Sequence, residues 1–263
     1  MCLLVVMSRM DPDAPLVVAA NRDEKLDRPA VSATVLGDCP RVLGGRDLMA
    51  GGTWLAVNEH GLVVGLTNRP SKEGRDDSKR SRGELPLVLA AHERAADAVE
   101  HFATSVRSEH YNQAWLLVGD RESLYHLAVG EEGPPVVEAL DPGVHVLANG
   151  PLQERSPKTD LVRQGIAAVA TPGTDKSLAV LRAALADHTV PPGLAAEERP
   201  PDRPAQLAAA CVHTESFGTR SAALIRVPAV GRPSAWVADG PPCQASFASI
   251  DSLWTRDPAG TPA

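Results

Sequence analysis

No hydrophobic run in the sequence is long enough to cross a bilayer, which argues against a transmembrane helix. Residues 1–7 are apolar, but no basic region precedes them and they are too few for the hydrophobic segment of a signal peptide. Cysteine is also scarce: four occur in 263 residues, with neither CxxC spacing nor the density of a disulfide-stabilised domain. We therefore expect a cytoplasmic protein with reduced thiols and no structural zinc site.

A positively charged face of the kind that binds nucleic acid is also missing, since the chain carries a formal net charge of −7. Lysine and arginine concentrate between Arg69 and Arg82, but acidic residues are interleaved with them, which is typical of a mobile, solvated loop. The pairs Gly44-Gly45 and Gly51-Gly52 lack the spacing of a dinucleotide-binding motif. The sequence therefore argues against nucleic acid as a partner and against a nucleotide-binding fold.

A linker rich in Gly, Ser or Pro that would divide the apolar segments is likewise absent, so we expect residues 1–263 to form a single domain. Residues 190–204 are rich in proline and acidic residues, which predicts an irregular surface loop or lid. Residues 257–263 are expected to form a frayed tail.

Short apolar runs in the first third of the chain predict strands. Leu3–Ser8 and Pro15–Ala20 flank the turn-forming segment Met10–Asp13, which predicts a hairpin. Thr53–Asn58 and Leu62–Thr67 predict a second hairpin. Because these runs are almost continuously hydrophobic, we expect strands that are covered on both faces.

The rest of the chain alternates between helical and strand patterns. Apolar residues between Leu85 and Val106 follow a helical period, and Ser156-Pro157 and Thr174 are typical helix starts. This order suits antiparallel sheets flanked by helices better than the strict βαβ alternation of a parallel sheet. Further strands are predicted at residues 113–118, 124–129, 143–148, 222–227 and 235–238.

Cys2 is the most informative single position. Removal of Met1 would leave a free α-amine beside the Cys2 thiol, and an α-amine has an ordinary pKa of about 8. A thiol is the best intrinsic nucleophile among the side chains, so one residue could supply both nucleophile and base. Taken alone, however, Cys2 is better explained as a small residue at the start of a buried strand.

The polar segment Asn21–Glu24 directly follows the apolar run of the second predicted strand. In a hairpin, the far end of that strand lies beside the start of the first, so residues 21–23 should come close to Cys2. A carboxylate there would hold the α-amine, and an arginine would fix an acidic group of a substrate or neutralise the carboxylate. A solvated turn explains the same segment about as well when it is considered alone.

Segments along nearly the whole chain resemble, in order, those of the NRDE family, also called the transport-and-Golgi-organisation family. That family is similar in pattern to N-terminal-nucleophile hydrolases of the choloylglycine hydrolase and penicillin V acylase kind. The resemblance implies an α+β fold in which antiparallel sheets form a four-layer αββα sandwich. The segments that carry it are Met1-Cys2, Ala20-Asn21-Arg22-Asp23-Glu24, Gly51-Gly52-Thr53-Trp54, Thr67-Asn68-Arg69, Ala148-Asn149-Gly150, and His213-Thr214 through Phe217-Gly218-Thr219-Arg220-Ser221.

The resemblance to these hydrolases also implies a catalytic set. Cys2 would be the nucleophile, Asp23 would contact the Cys2 amine or thiol, and Asn149 would donate its side-chain amide to an oxyanion. Arg220 would correspond to a late arginine that supports the nucleophile.

Further residues are expected to contact the substrate, namely Asn21, Arg22, Asn68 and Trp54. Ala20 stands where the acylases keep an arginine, and Arg22 lies two residues later on the same side of a strand, where it could substitute. Without the resemblance, Trp54 would be interpreted as a core residue at the start of a strand in preference to a residue that contacts a ligand.

No metal site is expected. His213 has no metal-ligand spacing to His145 or to any other histidine, which favours a structural or hydrogen-bonding role. Cys39, Cys211 and Cys243 have the pattern of ordinary buried or half-exposed thiols.

Two classes of function fit these observations. The first is a cysteine amidohydrolase that cleaves a non-peptide C–N bond in a linear amide, or a related acyl bond, without a cofactor. The second, implied by the family resemblance, is a non-catalytic carrier or chaperone that uses the same pocket for haem or an acyl-lipid. The expected partner is in either case a small molecule, and the sequence does not indicate an oligomeric state.

Overall fold

The structure, a computed structural model, describes residues 2–71, 74–169, 171–192 and 204–255. Met1 and the tail predicted at 257–263 lie outside the described residues, as does most of the loop or lid predicted at 190–204. Among the described residues, none of the helices has the length and apolar character needed to span a membrane.

Within these described ranges, two antiparallel sheets, of six and seven strands, form the centre of the fold. The six-stranded sheet has the order β10-β1-β2-β11-β12-β13, and its strands are β1 (Cys2–Ser8), β2 (Leu16–Lys25), β10 (Gly143–Leu147), β11 (Phe217–Val227), β12 (Ser234–Ala238) and β13 (Ala248–Ser249). The seven-stranded sheet runs in sequence order, and its strands are β3 (Ala30–Asp38), β4 (Arg41–Asp47), β5 (Leu55–Asn58), β6 (Val63–Asn68), β7 (Ala114–Gly119), β8 (Leu124–Val129) and β9 (Val136–Ala139).

Helices cover the outer face of each sheet. Helices α1 (Glu84–Leu89) and α2 (Ala95–Ser105) share an apolar cluster with the seven-stranded sheet. On the other side, α3 (Pro157–Gly165) and α4 (Asp175–Leu185) share one with the six-stranded sheet. A third cluster fills the space between the two sheets. The predicted α+β fold, a four-layer αββα sandwich, is therefore confirmed.

The apolar period between residues 85 and 106 spans two helices rather than one. The break occurs because side chains from other segments satisfy the backbone there. Asn58 Nδ2 donates to the carbonyls of Ala90 and His92, at 3.0 and 2.6 Å, just after α1. Asp120 Oδ2 accepts from the Ala95 backbone N–H at 2.7 Å, at the first residue of α2.

Alternation along the β1–β2 hairpin decides which side chains face the other sheet. Even-numbered residues of both strands, such as Leu4 and Val18, belong to the apolar cluster between the sheets. Odd-numbered residues, such as Leu3 and Ala19, belong to the cluster beneath the helices. The segment Asn21–Glu24 lies within β2, so it is part of a strand and not a solvated turn.

Candidate functional site

Cys2 opens β1 at one end of the sandwich and lines a cavity of about 600 Å³. The register of the hairpin pairs Cys2 with Arg22. Both residues have even numbers, so both side chains lie on the side of the sheet that faces the cavity and the second sheet. The predicted approach of the Asn21–Glu24 segment to Cys2 is thus a property of the β1–β2 pairing.

The surroundings of Cys2 disfavour its thiolate. Burial raises the pKa of the Cys2 thiol above its ordinary value, and the charge of the Asp23 carboxylate raises it further. A hydrogen bond from the Asp23 backbone N–H and the positive charge of Arg22 lower the pKa without reversing this direction. Activation of the thiol therefore requires a base close to it.

The Asp23 side chain lies on the opposite side of the strand, beneath the helices. Its side chain is 1 % exposed, and its Oδ1 accepts a hydrogen bond of 2.7 Å from Thr219 Oγ1. Lys158 Nζ, from α3, lies 3.6 Å from the other carboxylate oxygen. Asp23 thus reaches Cys2 through its backbone N–H and through its charge. A contact to a free Cys2 amine stays a prediction.

Asn21 also faces the helices. Its Nδ2 donates to the carbonyl oxygens of Leu185 and Ala210, at 2.8 and 2.9 Å, and the residue is fully buried. These bonds use both amide hydrogens. Asn21 therefore joins β2 to the helical layer, and it is not among the described residues that line the cavity.

Arg22 and Trp54 form one wall of the cavity. The Arg22 guanidinium lies 4.4 Å from the centre of the Trp54 ring, and Arg22 Nη2 lies 3.6 Å from Asp47 Oδ2. Asp47 Oδ2 also accepts a hydrogen bond of 2.6 Å from Arg28 Nε. Arg22 is only 4 % exposed, so this ion pair and this stack hold its charge next to Cys2. Trp54 packs against the apolar cluster between the sheets and also lines the cavity. It therefore has the core position that its pattern favours and is also placed where a substrate contact was expected.

Asn149 and Asn68 connect the two sheets beside Cys2. Asn149 Nδ2 donates to the Asn68 carbonyl oxygen at 2.7 Å, and Asn68 itself lines the cavity. Extending the pairing of Leu4 with Leu147 by two residues along each strand puts Asn149 alongside Cys2. Asn149 is not among the described residues that line the cavity, so its contact with an oxyanion stays a prediction.

Arg220 lies away from the cavity. The register between β2 and β11 shifts between Thr219 and Ser221, so Arg220 is an extra residue in a bulge. Its Nη1 donates to the Leu26 carbonyl oxygen, and it lines a separate depression of about 320 Å³. The structure therefore does not bring Arg220 to the residues around Cys2, and its support of the nucleophile stays a prediction.

Arg82 lines the same cavity as Cys2, and the sequence analysis did not identify it as a site residue. It lies in the segment expected to be a mobile, solvated loop, and it is half-buried in the cavity wall. Its Nη1 donates to the Gln113 carbonyl oxygen at 3.0 Å, and it forms no ion pair with any described residue. Burial and the charge of Arg75 lower the pKa of Arg82, whereas Glu24 and Cys2 raise it. A partly desolvated cation without an acidic partner is suited to binding an anion.

Among the described residues, those that line the cavity include more basic than acidic ones. The basic ones are Arg22, Lys25, Arg28, Arg75, Arg80 and Arg82, and the acidic ones are Asp23, Glu24, Asp27 and Asp47.

Solved structures with this fold include two hydrolases. A mutant conjugated bile acid hydrolase from Clostridium perfringens aligns with a TM-score of 0.59 at 12% identity, covering 98% of this chain and 95% of that one. A Caenorhabditis elegans N-acylethanolamine-hydrolyzing acid amidase ortholog aligns with a TM-score of 0.50 at 12% identity, covering 85% and 92%. At such low identity these alignments establish the N-terminal-nucleophile hydrolase fold and nothing finer.

Sequence relatives are much closer. The chain is 30% identical over 235 residues to the Bos taurus Transport and Golgi organization protein 2 homolog, covering 82% of this chain and 83% of that protein. It is 28% identical over 232 residues to the Homo sapiens homolog, with the same coverage. The model of the Transport and Golgi organisation 2 family matches residues 1–234. The family resemblance noted in the sequence is thereby confirmed, and this chain belongs to the Transport and Golgi organisation 2 family.

Proposed function

We propose that this protein is a cysteine amidohydrolase that cleaves a small, linear amide or a related acyl bond carrying an anionic group. The observation that supports the proposal best is the placement of Cys2, which opens into a 600 Å³ cavity directly beside the buried charge of Arg22. The proposal requires removal of Met1, because the reaction needs a base next to a thiol whose pKa is raised by burial.

The reaction begins with transfer of the thiol proton to the α-amine freed on Cys2. The sulfur then forms a bond to the carbonyl carbon of the substrate, and the carbonyl π electrons move onto oxygen. Collapse of this intermediate breaks the C–N bond, and the leaving amine takes the proton back from the α-ammonium. Water, deprotonated by the same amine, attacks the resulting thioester and releases a carboxylic acid and the free thiol.

Asn149 is the proposed donor to the oxyanion. One of its Nδ2 hydrogens is used by the Asn68 carbonyl, and this bond orients the amide beside β1. The second Nδ2 hydrogen is then the one available to the substrate. A single donor of this kind contributes on the order of 3 kcal/mol to transition-state stabilisation in known enzymes.

The charge of the cavity supports the substrate class. Arg82 forms no ion pair with any described residue, and it lies in the wall of the same cavity as Cys2, whose charge raises the pKa of Arg82. Conjugated bile acid hydrolase and the N-acylethanolamine-hydrolyzing amidase are both named for hydrolysing small molecules. We extend that class to this chain, with a carboxylate or phosphate on the substrate that pairs with Arg82.

The test uses activated acyl esters with and without a terminal carboxylate, followed by intact-mass measurement. We expect the wild-type protein to have lost Met1 and to carry a single acyl group after the reaction. Cys39→Ala is the matched control, since Cys39 is exposed and lies outside the cavity. It should acylate like the wild type, whereas Cys2→Ala should not acylate. Retention of Met1, or labelling that Cys2→Ala leaves unchanged, would refute the proposal.

A further inference from the structure

Two histidines and two cysteines come together on the side of the six-stranded sheet that the helices cover. They are His188, Cys211, His213 and Cys243, and each offers a ligand atom within 4.8 Å of the other three. His188 follows α4, Cys211 and His213 precede β11, and Cys243 follows β12. This cluster is separate from the cavity that Cys2 lines.

Three of the six distances between ligand atoms in the cluster, those among Cys211, His213 and Cys243, match the edges of a tetrahedron around a zinc ion, and all six are within 4.8 Å. Zinc bonds of about 2.3 Å to sulfur and about 2.0 Å to nitrogen separate two sulfurs by about 3.8 Å and a sulfur from a nitrogen by about 3.5 Å. The Sγ atoms of Cys211 and Cys243 are 3.8 Å apart. His213 Nε2 lies 3.6 Å from Cys211 Sγ and 3.3 Å from Cys243 Sγ.

His188 is oriented in the way that metal-binding histidines usually are. Its Nδ1 lies 3.1 Å from the Cys211 carbonyl oxygen. Such a bond fixes the tautomer with the proton on Nδ1 and leaves the lone pair of Nε2 for a ligand. The His188 and His213 rings lie with their centres 4.9 Å apart, so both can reach one ion.

A disulfide explains these contacts less well. The Sγ–Sγ distance of 3.8 Å is well beyond the about 2.05 Å of a disulfide bond. A disulfide also leaves unexplained why His213 Nε2 contacts both sulfurs and why the His188 ring packs against the His213 ring.

We propose that His188, Cys211, His213 and Cys243 form a structural zinc site of the Cys₂His₂ type. The two cysteines would bind as thiolates, and binding would release their protons. No coordination position remains for a substrate, which is the mark of a structural rather than a catalytic zinc ion.

The proposed site has a specific structural consequence. The Cys211 backbone N–H donates to the Asp187 carbonyl at 2.8 Å, and the Val212 N–H donates to Thr219 Oγ1 at 2.9 Å. Thr219 Oγ1 in turn donates to Asp23. A zinc ion would therefore hold the end of α4 and the segment before β11 in the position that fixes Asp23 behind Cys2.

The experiment is metal analysis of the full chain, produced with zinc and purified without chelators or a metal-affinity column. We expect one zinc per chain in the wild type and in Cys39→Ser. Cys243→Ser and His213→Gln, both at exposed positions of the cluster, should lose it. Cobalt-substituted wild-type protein should show the intense visible bands of tetrahedral cobalt and a thiolate charge-transfer band, a readout that does not depend on any variant folding.

Several outcomes would overturn the proposal. The first is wild-type protein that contains no zinc and does not give the cobalt spectrum. The second is zinc that persists in Cys243→Ser. The third is zinc-free protein whose mass is lower by two hydrogens because Cys211 and Cys243 form a disulfide. Acylation of Cys2 is measured separately, by intact mass on wild-type protein of known zinc content, so failure of the zinc site and failure of the proposed hydrolase are distinguishable.

Discussion

The thiol of Cys2 lies between groups that oppose and groups that favour its ionisation. Burial and the Asp23 carboxylate raise its pKa, and Arg22 and the Asp23 backbone N–H lower it. The balance leaves the pKa above the ordinary thiol value, so the thiolate fraction is small at neutral pH and grows as pH rises. We therefore expect the alkylation rate of Cys2 to increase with pH through a midpoint above the ordinary pKa of a thiol.

Arg22→Gln provides the matching variant for this pH profile. Loss of the guanidinium removes a charge that lowers the pKa of Cys2, so the midpoint should move to still higher pH. An α-ammonium on Cys2 acts in the same direction as Arg22, so intact mass must establish the state of Met1 in each sample. A Cys2 midpoint at or below the ordinary pKa of a thiol, in protein that retains Met1, would contradict the balance described here.

The sequence identifies which residues are candidates for the site, but it does not show which side of the sheet each side chain faces. Alternation alone indicates that Asn21 and Asp23 share one side of a strand and that Arg22 lies on the other. Only the pairing with β1 decides that Arg22 shares the side of Cys2. Asn21, expected to contact the substrate, instead bonds two carbonyls of the helical layer for this reason.

At the scale of elements, the turn between β4 and β5 shapes the cavity through close contact of two backbones. An added Cβ at Gly52 would lie 2.5 Å from the Gly83 carbonyl carbon, and the Thr53 N–H donates to the Gly83 carbonyl oxygen at 2.9 Å. Gly51 has a φ of 73°, which favours glycine there as well. These contacts explain why two glycines precede Thr53.

Gly52→Ala should therefore displace the segment that carries Arg82. Because the obstacle is backbone and not a flexible side chain, we expect the free energy of unfolding to fall by about 1–3 kcal/mol. Denaturant unfolding measures the loss. Gly165→Ala is the control, since its added methyl would lie at an ordinary 3.8 Å from Ala184 Cβ at the end of α3. Equal stabilities of the two variants would show that Gly52 and Gly83 are not in close contact.

Elements with continuous apolar runs could be predicted from the sequence, whereas others depended on distant partners. Both predicted hairpins, β1–β2 and β5–β6, are present, although β2 continues to Lys25, five residues beyond the predicted run. Strand β3 is only half-buried along most of its length, and its pattern gave no comparable signal. The gap between α1 and α2 depends on Asn58 and Asp120, which no local periodicity reveals.

At the scale of the whole molecule, the features that sequence spacing missed are those assembled from remote segments. Cys211 and Cys243 are separated by 32 positions, and His188 and Cys211 by 23, yet their possible ligand atoms lie within 4.8 Å of one another. Spacing rules detect ligands that share a turn or a helix, so they are silent on such a cluster. Haem or acyl-lipid binding and a cytoplasmic location stay predictions from the sequence.

The distribution of charge also appears only at this scale. The chain has a formal net charge of −7, yet the described residues that line the cavity beside Cys2 include more basic than acidic ones. A site of this kind attracts an anionic substrate even when the protein as a whole repels it. The attraction should weaken as salt is added, because mobile ions screen exposed charges over about 10 Å at 0.1 M ionic strength.

Arg82→Gln separates this local attraction from the rest of the site. A charge-assisted hydrogen bond contributes about 1.5–3 kcal/mol, so the variant should lose roughly tenfold or more in acylation by an ester with a terminal carboxylate. The neutral ester of the same length should react as with the wild type, and Arg82→Lys should recover part of the preference. Arg155→Gln, which removes an arginine whose side chain is 77% exposed and lies outside the cavity, should change neither reaction. Equal losses for the charged and neutral esters in Arg82→Gln would mean that Arg82 supports the cavity wall through Gln113 and does not select an anion.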